Sequence, residues 1–240
     1  MSTLVHNRDT PWLCLRHPMQ DIFYWVHSKC ACSYYKNILS RLLWKRCTTK
    51  DISWGQSKVF SHIRDPIKKH RTGLIEYFYY HKCQHILRDN ENNDDFWLML
   101  SRAPWLDVHS MSIWEHLGEK SDLVNWIPID KPDFSHLDST LDYIGFTDDR
   151  SLMYKQPVIN ASTGFKKECV NRLLGISPDP LITKYLEQDQ QIYDFVIRDP
   201  GFEPMKYQQK LSELLRQGVT REFAESILDQ DVATGAYLDW

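Results

Sequence analysis

At two places this chain reads as a buried strand that runs straight into a helix across a short basic corner, the signature of an α/β architecture. Asp21-Ile-Phe-Tyr-Trp-Val-His27 is a continuous apolar, aromatic and β-branched run, suited to a strand covered on both faces. Residues 33–46 follow with helical spacing: Tyr35, Ile38, Leu39, Leu42 and Leu43 form one stripe, and Ser33 is a fair N-cap. Lys58-Val-Phe-Ser-His-Ile63 is a second strand candidate, after which Asp65 can cap a helix and Pro66 occupies its first position, where a missing N–H costs nothing. That helix is expected to run to about Leu87, weakened at Gly73.

The rest of the pattern extends the same architecture. A helix is expected after Asp94-Asp95, and residues 123–129 read as a third strand whose Pro128 argues for an end or edge position. Residues 134–144 read as helix, as do about 165–174, 180–197, 205–217 and 219–230, the last two forming a hairpin broken at Gly218. The expected fold is a three-layer α/β/α sandwich with a mainly parallel sheet over residues 1–200 and a helical extension over 201–240 packed on it. In such sheets ligands sit beyond the C-terminal ends of the strands, where both basic corners fall.

Charge points to those corners as well. The chain carries a net −3, yet residues 29–72 hold eleven Lys/Arg against Asp51 and Asp65, so the remainder carries −12. A local anionic ligand and a solvated basic helix face are both compatible with that asymmetry. Six cysteines without a CxxC pair, and an N-terminus without a signal pattern, lead to the expectation of reduced thiols and a cytoplasmic location. On that expectation the sequon at Asn160 carries no glycan. No apolar run approaches the ~20 residues of a membrane span.

Ser28-Lys29-Cys30-Ala31-Cys32 has the makings of an anion cradle: consecutive backbone amides at a helix start, a mobile ammonium and a following hydroxyl at Ser33. The kinase pattern G-x-x-x-x-G-K-S/T is absent, because here the Lys precedes the small residues. Val26 to Ser33 resembles the 5′-phosphosulfate loop of sulfotransferases, in particular the carbohydrate sulfotransferases. Phe60 through Thr72 is similar to the 3′-phosphate motif of that family, a strand ending in Arg-Asp-Pro with a hydroxyl residue eight positions after the Arg. Weaker likenesses run through Asp107-Val-His109, 123–130, 137–145, Asn160-Ala-Ser162 and 185–195, so the resemblance covers roughly residues 20–197.

That resemblance implies a P-loop-like fold and a soluble enzyme moving a sulfuryl group from 3′-phosphoadenosine-5′-phosphosulfate (PAPS) to a hydroxyl acceptor, a carbohydrate by the closest likeness. It implies Lys29, Cys30, Ala31, Cys32, Ser33 and Tyr34 around the phosphosulfate, and Arg64 and Thr72 on the 3′-phosphate, with Lys68, Lys69 and Arg71 adding field. Lys29 would stabilise the leaving phosphate without a metal, and His109 is the leading base, with His62, Glu115 and His116 as further options. Only about 30 residues separate the two motifs, as in a compact bacterial or viral type of enzyme, and no membrane anchor is expected. A nucleotide kinase, a P-loop-like protein without sulfotransfer, and a nucleic-acid binder are the rival readings, the last disfavoured by the acidic remainder. His81 and His85 lie four apart on a helix without an evident third ligand, so no metal site is expected. Trp97, Trp105, Trp114 and Trp126 could stack on sugar faces or fill the core.

Overall fold

A computed structural model of the chain describes residues 12–129, 135–151, 153, 164–197, 210, 211 and 213–234. Five strands form one sheet: β1 (Leu13–Arg16), β2 (Ile22–Trp25), β3 (Lys45–Thr48), β4 (Lys58–Ile63) and β5 (Val124–Pro128), in the order β3-β1-β2-β4-β5. β2, β4 and β5 pair in parallel, while β1 lies between β3 and β2 and pairs antiparallel with both, so the sheet is mixed.

Strand alternation sorts the core into two layers. Ile22 and Tyr24 point to one face and pack under α1 (Cys32–Arg41) and α6 (Ser135–Tyr143), through Tyr35, Ile38, Leu39, Leu137 and Leu141. Phe23 and Trp25 point to the other and meet α5 (Ile113–Leu117) and α9 (Glu187–Ile197). A third apolar cluster joins α2 (Pro66–Tyr80), α4 (Asp94–Ser101) and α7 (Phe165–Gly175) beside the sheet.

Several expected boundaries shift for local reasons. The first helix ends at Arg41, not Arg46, because Leu43 turns left-handed with φ 64° and the amides of Leu43 and Trp44 close back onto Ser40 and Leu39. Leu43 is thereby 74% exposed instead of lining the apolar stripe, and the freed Lys45–Thr48 becomes a short, cationic edge strand. The second helix stops at Tyr80, where Lys82 takes φ 56° and the Cys83 amide donates to Phe78 O at 2.8 Å; the separate α3 (His85–Asp89) follows. The expected helix over 180–197 breaks at Leu186 into α8 (Pro180–Tyr185) and α9. Pro128 closes β5 at the sheet edge, where its missing donor costs no ladder bond.

Residues 210–211 and 213–216 are helical and pack with α10 (Arg221–Thr234) through Leu211, Leu214, Leu215, Ala224 and Leu228, with Phe195 of α9 against them. Arg221 pairs with Asp122, and Arg216 donates to Gly55 O at 3.3 Å, fastening this hairpin to the turns that precede β5 and β4. Among the described residues no helix is long and apolar enough to cross a membrane.

Candidate functional site

Parallel pairing of β2 with β4 sends the corner after each strand out of the same edge of the sheet. They are also stitched together: His27 Nδ1 lies 3.2 Å from the carbonyl oxygen of His62, at the end of β4. Lys29 and Ala31 both adopt left-handed backbone, φ 62° and 56°, which a side chain makes costly. Ala31 takes the N-cap position of α1 with no side chain capping it, so Ser33 is not the cap expected of it but lies inside the first turn, exposed. Cys30 is buried, whereas Cys32 and Tyr34 are half-buried.

The Lys29 side chain reaches across to α2. Its Nζ stands 2.6 Å from Glu76 Oε2, and Lys166 from α7 bonds the same oxygen. Burial lowers the Lys29 pKa, and Glu76 works against that shift. Burial also pushes the Glu76 carboxyl upward, but hydrogen bonds from Lys166 and Lys29 outweigh it and hold the carboxyl below its ordinary value. Two ammoniums on one carboxylate leave a net positive charge beside the α1 N-terminus, suited to an oxyanion.

Arg64 leaves the end of β4 half-buried, and Asp65 caps α2 by accepting from the Lys68 amide at 2.8 Å. Thr72 lies two turns along that helix, and its hydroxyl donates to Lys68 O at 2.7 Å. The three cations between them differ sharply. Lys68 is exposed, but Lys69 is buried and bonded to Met111 O, with the carboxylates of Asp189 and Asp107 acting on it. Arg71 is 2% exposed, and its Nε and Nη2 find no hydrogen-bond partner.

His109 is held by a carboxylate: its Nδ1 lies 2.8 Å from Asp107 Oδ2 and its ring 5.2 Å from that of Tyr80. Its backbone rests on Gly73, one turn of α2 before Glu76, and sits so close that an added Cβ would lie 2.1 Å from His109 O. The other base candidates fare differently. His62 is fully buried, stacked on Tyr35 at 3.7 Å, and pushed down to about 3 by burial, which makes it a neutral core residue. His116 is buried among Trp12, Trp25 and His27, also away from solvent. Glu115 is half-buried at the start of α5, where its amide donates to the Ser112 capping hydroxyl.

His81 faces Asp107 at 3.8 Å and His85 is exposed; among the described residues no group of three or more His, Cys, Asp or Glu could hold a metal ion. Trp97 and Trp126 are core residues, while Trp105 and Trp114 are half-buried. Asp130 and Asn160-Ala-Ser162 lie outside the described residues.

Sequence reasoning missed Glu76 and Lys166, and gave Asp107 no role beyond its place in the His109 segment. Glu76 follows Thr72 by one helical turn and could have been found from that spacing alone. Lys166 comes from a helix ninety residues later, and nothing local marks it. No family model, no curated protein and no solved structure matches the chain.

Proposed function

We propose that this chain is a P-loop-like sulfotransferase that moves a sulfuryl group from PAPS to a hydroxyl of a carbohydrate acceptor. The observation that carries this reading is the common exit of the Lys29 and Arg64 corners from adjacent parallel strands, joined by His27 to His62 O. A doubly phosphorylated adenosine needs cations at both of its ends, and these two corners offer them on one edge. Left-handed backbone at Lys29 and Ala31 is strain of the sort found where a loop is shaped around a ligand.

Each residue then has a task. Amides of residues 30–33, with the positive end of α1, would bind the phosphosulfate oxygens. Lys29, and behind it Lys166, would neutralise charge growing on the bridging oxygen as the sulfur–oxygen bond breaks. Arg64 would take the 3′-phosphate through its planar fork of donors. His109 donates its Nδ1 proton to Asp107, which leaves Nε2 with the lone pair that accepts the acceptor hydroxyl's proton.

Adenosine 3′,5′-bisphosphate tests the nucleotide class. It should raise the melting temperature where ATP with magnesium does not, since only a ligand that prefers the folded state stabilises it. Transfer of labelled sulfate from PAPS to a glycan panel tests the activity. Stabilisation by ATP with magnesium alone would replace this reading with a nucleotide kinase.

A further inference from the structure

Arg71 sits within the stretch between Arg64 and Thr72, on the second turn of α2, and is 2% exposed. A guanidinium does not shed its proton in a protein, so this group is charged wherever it lies. Its Nε and Nη2 are sealed from solvent with no hydrogen-bond partner. Burying a charge in that state is expensive, and folded chains keep such groups when something else compensates for them. Asp65, the N-cap of α2 and the residue after Arg64, is the carboxylate whose charge acts on it, and Arg71 follows on the second turn of that helix.

Thr72, by contrast, spends its one hydroxyl proton on the Lys68 carbonyl. A phosphate dianion asks for donors, and a hydroxyl committed to its own helix offers only lone pairs. Arg71 has two donor nitrogens to spare and Thr72 has none.

We propose that Arg71 supplies the second guanidinium for the 3′-phosphate of the adenosine ligand, joining Arg64 at the start of α2 and taking the part expected of the Thr72 hydroxyl. The assignment rests on the sulfotransferase reading, and it names the residue that makes the site select a 3′-phosphorylated nucleotide. Arg71 and Arg64 would straddle the positive end of a fifteen-residue helix, where an anion is already favoured.

Titration calorimetry with adenosine 3′,5′-bisphosphate and with adenosine 5′-monophosphate separates the possibilities. The parent should prefer the bisphosphate. Arg71→Met should lose that preference about tenfold or more while keeping its affinity for the monophosphate. It should also melt no lower than the parent, because an apolar chain of similar reach replaces a buried cation whose Nε and Nη2 lack hydrogen-bond partners. Thr72→Val should keep the preference within about threefold. Arg71→Lys, which keeps the charge but not the fork, should fall between parent and Met and serves if the Met variant does not fold. A full preference retained in Arg71→Met or Arg71→Lys makes Arg71 a buried structural cation and overturns the proposal with the sulfotransferase reading intact. A parent that binds neither nucleotide overturns the reading itself.

Discussion

Lys29 Nζ and Glu76 Oε2 stand 2.6 Å apart, and the Lys166 ammonium bonds the same carboxylate oxygen. The loop's cation thus shares its one carboxylate with a second ammonium. On the proposed reading, an incoming phosphosulfate would compete with Glu76 for Lys29, and Lys166 is positioned to keep the carboxylate when Lys29 lets go. Glu76→Gln should therefore tighten binding of adenosine 3′,5′-bisphosphate, by about threefold to tenfold, because a neutral amide competes less well. Lys29→Met should weaken it about a hundredfold, the scale of losing a charge-assisted contact to an oxyanion. Calorimetry at constant ionic strength reads both. Weaker binding in Glu76→Gln would mean that the carboxylate shapes the loop and does not compete with the ligand.

Gly73 makes a second demand on α2. An added Cβ would lie 2.1 Å from His109 O and 2.6 Å from Ser110 Cα, so it would strike backbone that cannot rotate away. Alanine in a helix interior ordinarily gains ~1 kcal/mol over glycine. Here overpacking, at ~1–3 kcal/mol, should outweigh that gain. Gly73→Ala is expected to lower unfolding stability by up to about 2 kcal/mol in urea and to move His109 off Asp107. A variant about 1 kcal/mol more stable than the parent would show that the 109–110 segment yields at no cost.

The parts of this arrangement that local chemistry determines were legible in the sequence. Lys58–Ile63 emerges with its expected bounds, and Asp65 and Pro66 start α2 as their types require. What escaped was set by contacts between distant segments. β3 reads Lys-Arg-Cys-Thr, a polar run that becomes a strand because β1 offers it an edge. Leu42 and Leu43 extend a helical stripe in the sequence, but the chain must turn back toward β1, and Leu43 leaves the stripe to make that turn. The candidate site divides the same way. Its two corners follow from strand, loop and helix patterning, while the Glu76–Lys166 pair depends on α7 packing across α2, which no local spacing encodes.

In the proposed reaction, proton removal would fall to the Asp107–His109 pair. With its Nδ1 hydrogen engaged by Asp107, the ring would keep Nε2 free to accept a proton. His109→Gln should reduce turnover by about 10²–10⁴-fold and leave nucleotide affinity within about threefold, since the ring is asked to act on the acceptor and not on the donor. Asp107→Asn should reduce turnover less, and its loss should fall on kcat rather than on the KM for PAPS. Parallel losses of nucleotide affinity in both variants would make the pair a support for α2.

Buried histidines give the fold a definite acid limit. Burial holds His27 far below 6.5, with the neighbouring Lys69 and His116 charges adding to it, and lowers His62 to about 3 and His70 to about 4. These three stay neutral when folded and charge once unfolded, so their stabilisation is full above about pH 6.5 and is lost as pH falls toward their folded values. Asp189 works in the opposite sense. Burial raises it to about 6 while Lys69 and the Ile113 and Trp114 amides pull it down, so it favours the folded state more at acid pH and less as pH rises from 3.8 toward 6. Unfolding near pH 5 should thus take up three protons at histidine and release one from Asp189. The net uptake of about two corresponds to a slope of ~3 kcal/mol per pH unit. Urea midpoints between pH 6.5 and 5 measure it, and Asp189→Asn, by removing the opposing group, should steepen the slope by about one proton. A midpoint that stays level over this range would place these rings in contact with water and undo the core packing assigned to them.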